Sequence, residues 1–186
     1  MSPDAPVRLS RRVTLEDPLV IESPRIGFLN LLGQSAELLI EEDRRVLAPL
    51  FASIEQSTTI TPQCEVLMLY GRFLADGRIE GAASVLREII RDSNAPIVIV
   101  ASENEGENYV AADRERGDEK ANLIMTLERK GSAFTDFFAE LFRRMFAGES
   151  MLIAWVELAP QNPQLVHDNC PSTIFAAEVS HIIFRK

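Results

Sequence analysis

Between Cys64 and Asn104 lie two short apolar runs, separated by a glycine-punctuated loop and an amphipathic segment, and few folds accommodate that succession. In Cys64-Glu65-Val66-Leu67-Met68-Leu69-Tyr70 the apolar residues follow one another without alternation, the mark of a strand covered on both faces. The loop from Gly71 to Gly81 leads into residues 82–91, where Ala82, Val85, Leu86, Ile89 and Ile90 share one helical face. Asn94 and Pro96 stop that helix, and Ile97-Val98-Ile99-Val100-Ala101 is β-branched enough to form a second buried strand. Two such strands joined through a helix imply a right-handed crossover and a parallel pair. The expected fold is therefore α/β: a three-layer sandwich with a mainly parallel central sheet and an antiparallel edge. Residues 26–186 would form this single domain and residues 1–25 an N-terminal arm.

The flanks supply the other elements. Prolines at 3, 6, 18 and 24 break the arm into two short extended pieces, Arg12 to Leu15 and Leu19 to Glu22, which would form an edge hairpin or lie across the core. Arg8, Arg11 and Arg12 read as a solvated surface cluster. Ile26 to Asn30 is the first core strand. A helix from about Ser35 follows, with Ala36, Leu39, Ile40, Val46, Leu47 and Leu50 in phase and only Asp43 spoiling its buried stripe. Pro49 requires that helix to kink or to restart with the proline in its first turn. Ser57 to Pro62 reads as a linker, and the charged stretch 102–121 as a long loop or a partly mobile excursion. Asn122 to Leu127 is the next strand. Ser132 is a candidate N-cap for a helix whose Phe134, Phe137, Phe138, Leu141, Phe142, Met145 and Phe146 fall on one face as core. Gly148 ends it, and Ser150 can cap the helix Met151 to Leu158, apolar around most of its circumference and so in need of cover on several sides. Prolines 160, 163 and 171 keep the next stretch irregular, and Thr173 to Phe184 closes the sheet as one interrupted strand or two.

The 186 residues suffice for one sizeable core. A net charge of -9 opposes phosphate backbones and anionic lipid, which argues against nucleic-acid and membrane-surface partners. No uncharged run approaches the roughly 20 apolar residues of a membrane span. The N-terminus lacks the pattern of a signal peptide, so a cytoplasmic location is the default. Cys64 and Cys170 are too few for a disulfide framework and have no CxxC partner, so free thiols are expected and a zinc site is not.

In open parallel sheets ligands bind beyond the carboxyl ends of the strands. That rule nominates Asn30, then Tyr70, Gly71 and Arg72, then Ser102, Glu103 and Asn104, then Glu128 with Arg129 and Lys130. The glycines at 71, 77 and 81 follow neither a phosphate-loop nor a dinucleotide spacing, and no serine lies in a GxSxG context. His167 and Cys170 could pair as base and nucleophile only if the fold joined them, and His181 reads as a packed or edge residue. No cofactor or metal is indicated.

The order of these pieces resembles the caspase-like CHAT domain over residues 64–160. The resemblance is carried by the strand Cys64 to Tyr70, the glycine-containing loop, the strand Ile97 to Ser102, and the stretch Phe138 to Ala154 with Gly148-Glu149-Ser150 between its helices. Peptidases of that family place a cysteine just past the first of these strands, where this chain has Tyr70-Gly71-Arg72, and no histidine directly follows the first core strand, since both, His167 and His181, lie near the C-terminus. The resemblance therefore implies the fold and a degenerate, non-peptidase member. The leading expectation is a non-catalytic binding or regulatory module whose partner is another protein or a second copy of itself. The rival is a hydrolase-like enzyme acting on a small molecule or peptide at the strand ends, with Arg72, Glu103, Asn104 and Glu128 as its polar contacts.

Overall fold

The structure, a computed structural model, describes residues 14–117, 121–159, 171–179 and 181–186. Its strands are β1 (Leu19–Glu22), β2 (Arg25–Asn30), β3 (Ser53–Ser57), β4 (Val66–Tyr70), β5 (Ile97–Val100), β6 (Asn122–Glu128), β7 (Ser172–Ala176) and β8 (Ile182–Arg185). Its helices are α1 (Glu37–Leu47), α2 (Leu86–Ser93), α3 (Gly106–Arg116), α4 (Ser132–Phe146) and α5 (Met151–Leu158).

The two unbroken apolar runs are neighbouring parallel strands, with Val66 opposite Ile97 and Leu69 opposite Val100. They lie inside a six-stranded sheet of order β3-β2-β4-β5-β6-β7, in which only β7 runs antiparallel to its neighbour. Strand periodicity sends alternate residues to opposite faces. Val66, Met68 and Tyr70 join Ile97 and Ile99 in a core roofed by α1, α4 and α5. Leu67, Leu69, Val98 and Val100 join a second core under α2 and α3. Both faces are thus buried, which is why these strands show no polar alternation. The phenylalanine stripe of α4 is core, as expected. Phe142 meets Phe51 edge-on at 5.2 Å between ring centres, and Phe137 meets Trp155 of α5 at 5.0 Å.

Several local expectations are corrected. Residues 102–121 are no long loop, because Gly106–Arg116 is the helix α3. Only Tyr109 and Ala112 of its described side chains are buried, so its sequence carries almost no apolar periodicity. Its place is fixed instead by the Tyr109 hydroxyl, which lies 2.8 Å from the Thr126 carbonyl and 3.1 Å from that of Ser102. Ser53–Ser57, polar and largely exposed, adds a parallel edge strand that no apolar run announces. Helix α2 begins at Leu86 rather than Ala82, since Val85 is extended and its N–H donates to the Glu88 carboxylate at 3.2 Å. Ser132 does not cap α4: Gly131, with φ of 56°, occupies that position. The C-terminal segment forms two strands in different sheets, β7 at the main edge and β8 paired in parallel with β1. Leu19–Glu22 therefore pairs with the chain's end and forms no hairpin with residues 14 and 15; Arg12 lies outside the described residues.

Other details match. Pro49 opens a 3₁₀ turn over Ala48–Leu50, and Asn94 ends α2 with φ of 54°. Helix α5, expected to need cover on several sides, is by contrast buried only at Met151 and Ala154 and leaves Val156 53% exposed. Arg8, Arg11, His167 and Cys170 lie outside the described residues.

Candidate functional site

The chain leaves β2 outward to β3, then crosses back to β4 on the other side of β2. At such a reversal the connections diverge and leave a crevice beyond the strand ends. Two adjoining clefts open beyond the strand ends, and the smaller spans the β2 and β4 loops at this reversal. One, of about 400 Å³, has Leu32, Leu39, Glu42, Ser102, Arg129 and Gly131 in its walls. The other, of about 740 Å³, lies among Leu74, Asn104, Glu105, Gly106, Asn108 and Leu127. Arg72 and Glu103 belong to both and form the partition between them.

Beneath the smaller cleft is a buried ionic network. Asp43, fully buried on α1, accepts Arg129 Nη1 at 2.9 Å on Oδ2 and Nη2 at 2.9 Å on Oδ1. It also accepts the Tyr70 hydroxyl at 2.6 Å and the Thr135 hydroxyl at 2.7 Å. Four donors thus converge on one carboxylate, from β4, α4 and the segment after β6. Arg129 also donates to the Ala101 carbonyl at 2.9 Å, and its guanidinium carbon sits 3.8 Å over the Phe134 ring. Burial, followed by the neighbouring Asp43 charge, pushes the Tyr70 phenol well above its ordinary value. Replacing either ion alone would leave the other charged and uncompensated, a loss of about 3–5 kcal/mol.

The nominated residues take distinct roles. Asn30 closes its own turn, accepting the Leu32 N–H at 3.0 Å and donating to the Gly33 carbonyl at 2.9 Å, and it lines neither cleft. Tyr70 is buried and serves Asp43. Ser102 is clamped: its hydroxyl accepts the Gly71 N–H at 2.9 Å and donates its one proton to the Gly71 carbonyl at 2.7 Å. Asn104 accepts the Phe73 N–H at 2.7 Å and donates to the carbonyls of Gly71 at 3.0 Å and Ser102 at 3.2 Å. Asn108 adds a bond to the Phe73 carbonyl at 2.8 Å. These amides and the hydroxyl staple the β4 loop to the β5 loop. Arg72 and Glu103 are the nominated side chains that reach the clefts from exposed positions. Arg72 is 3.6 Å from Glu80, and Glu103 accepts the Arg129 backbone N–H at 2.7 Å. Glu128 is exposed at the end of β6 and lines neither cleft. The chain matches no family model and no curated protein.

Sequence reasoning missed Asp43 as the centre of the network, although its signal was present: one acid inside an otherwise apolar helical stripe. Arg129 fell within a nominated group, whereas Thr135 gave no signal. Elsewhere, His181 lies with Nδ1 3.2 Å from the Ser150 hydroxyl and lines neither cleft. Cys64 is buried at the opposite end of β4, and burial pushes its thiol up to about 12. Among the described residues no group of three or more His, Cys, Asp or Glu side chains is placed to hold a metal ion, and no helix is long and apolar enough to cross a membrane.

Proposed function

We propose that the protein is a non-catalytic binding module that engages a protein partner at the paired clefts beyond the sheet. The observation that carries this reading is the clamp on Ser102. A hydroxyl nucleophile needs a base to receive its proton and an unobstructed approach to the reacting carbon. Here the proton goes to a backbone carbonyl, and the serine is buried. Asn104 and Tyr70 are likewise committed to internal bonds, so the clefts offer contact surface and peripheral charge. Incubating the purified protein with a fluorophosphonate probe is expected to leave Ser102 unmodified. Labelling that disappears in Ser102→Ala would overturn the reading in favour of a hydrolase.

The same reading extends to a degenerate caspase-like CHAT domain. It is supported by the mainly parallel sheet, by the parallel β4–β5 unit, and by the α4–α5 pair joined through Gly148 and Ser150. A cytoplasmic setting accords with the scarcity of cysteine. Self-association through the half-covered helix α5 is a second reading, favoured by its apolar Leu152, Ile153 and Val156. A light-scattering mass equal to one chain would remove it.

A further inference from the structure

We infer that the paired clefts take a basic segment of the partner, an arginine or lysine side chain flanked by apolar ones. This inference rests on the binding-module reading and adds the chemistry of what is bound.

The charged groups of the walls differ in how far they are already satisfied. Arg129 is spent on Asp43 and on the Ala101 carbonyl, so the cation in the cleft floor is neutralised from below. Arg72 stands 3.6 Å from the Glu80 carboxylate. Glu42, Glu103 and Glu105 pair with no basic side chain among the described residues, and all three border the clefts. An acidic ligand would meet three carboxylates with no cationic side chain paired to them, of which Glu103 holds only the Arg129 backbone N–H, and a neutral one would leave their charge unanswered.

The apolar share of the walls decides between a compact cation and a long one. Leu32 and Leu39 line the smaller cleft, and Leu74 and Leu127 the larger. A lysine or arginine lays its methylene stem along such surface while its head reaches a carboxylate at the rim. Glu103, on the partition, is within reach of either cleft. The volumes, about 400 and 740 Å³, suit side chains rather than a single small ion.

The test uses the whole protein and pools of fluorescein-labelled hexapeptides with one central position fixed as arginine, lysine, norleucine or glutamate and the others randomised. Fluorescence anisotropy is expected to rank arginine and lysine ahead of norleucine by about tenfold and glutamate last, with the margin shrinking as salt rises. In Glu42→Gln/Glu103→Gln/Glu105→Gln the arginine pool should fall to the norleucine level and the norleucine pool should not change. The glutamine at 103 retains an oxygen for the Arg129 N–H, so the fold is expected to persist, as circular dichroism would show. A norleucine or glutamate pool that binds as tightly as arginine, or an arginine advantage that survives the triple variant, would overturn the basic specificity and leave the groove standing. Binding by no pool, with unmoved methyl resonances of Leu32, Leu39, Leu74 and Leu127, would remove the binding reading itself.

Discussion

The two ends of the central sheet solve the same problem differently. At the carboxyl end the strand termini are tied through a buried ion pair, Asp43 with Arg129, and through side chains that reach across loops. At the amino end, Asn122 of β6 holds the segment before β8: its Oδ1 accepts the N–H groups of Glu178 and Val179, both at 2.8 Å, and its Nδ2 donates to the Val179 carbonyl. Another contact at that end is partly exposed, with Glu65 on the Arg25 guanidinium at 2.9 Å. A neutral amide fastens the amino end, whereas the carboxyl end adds to its own amides a charge placed in the interior. The difference shows where irregular backbone must be held open. The carboxyl end keeps two clefts between its loops, and polar anchors lie beneath them beside the buried rings of Phe73 and Tyr109.

The sharpest way to break this comparison is Asp43→Leu, which strands a guanidinium whose side chain is only 6% exposed. A loss of about 3–5 kcal/mol is expected in urea unfolding, and Asp43→Leu/Arg129→Met should recover much of it, because the desolvated charge goes as well. A loss below about 1 kcal/mol, the scale of an exposed pair, would mean that the network is solvated and the two ends are alike. Asn122→Ala should cost less, about 1–3 kcal/mol, since it leaves backbone groups unpaired but no charge. A cost equal to that of Asp43→Leu would erase the distinction.

The smallest effect concerns pH. Because the Tyr70 phenol is raised in the folded protein, its contribution is complete below the ordinary value of 10.0, where the unfolded chain is also protonated. Above that value the unfolded state ionises first, and stability falls as pH rises toward the folded value. Cys64 acts in the same direction between 9.0 and about 12. Tyr70→Phe should cost about 1 kcal/mol at neutral pH and flatten the decline above pH 10.0, as urea midpoints on both sides of that value would show. An unchanged slope would place the alkaline sensitivity elsewhere.

Much of the frame was legible because burial on two faces leaves a direct trace. Residues 66–70 and 97–100 could hardly be anything but interior strands, and the α4 phenylalanines could hardly face water. The failures share a cause. Helix α3 and strand β3 bury little, so neither leaves a periodic apolar signature, and both are held by partners remote in sequence. Among the nominated strand ends, Arg72 and Glu103 reach the clefts from exposed positions, while the polar groups of Asn30, Tyr70 and Ser102 turn inward to bond the backbone or Asp43. Residue type cannot separate these outcomes, because one asparagine or serine serves a turn or a ligand equally well.

The sequence alone determined the class of fold, the parallel pairing of β4 with β5, and the end of the sheet at which a crevice could form, since hydrophobic period and chain connection are local properties. Tertiary structure decided which polar groups remain available there. Asp43, 86 residues before Arg129, becomes its counter-ion only when α1 and the end of β6 are brought under the same cleft. Whether a side chain faces water, a ligand or its own backbone depends on what the fold packs against it, and neither composition nor spacing encodes that separately.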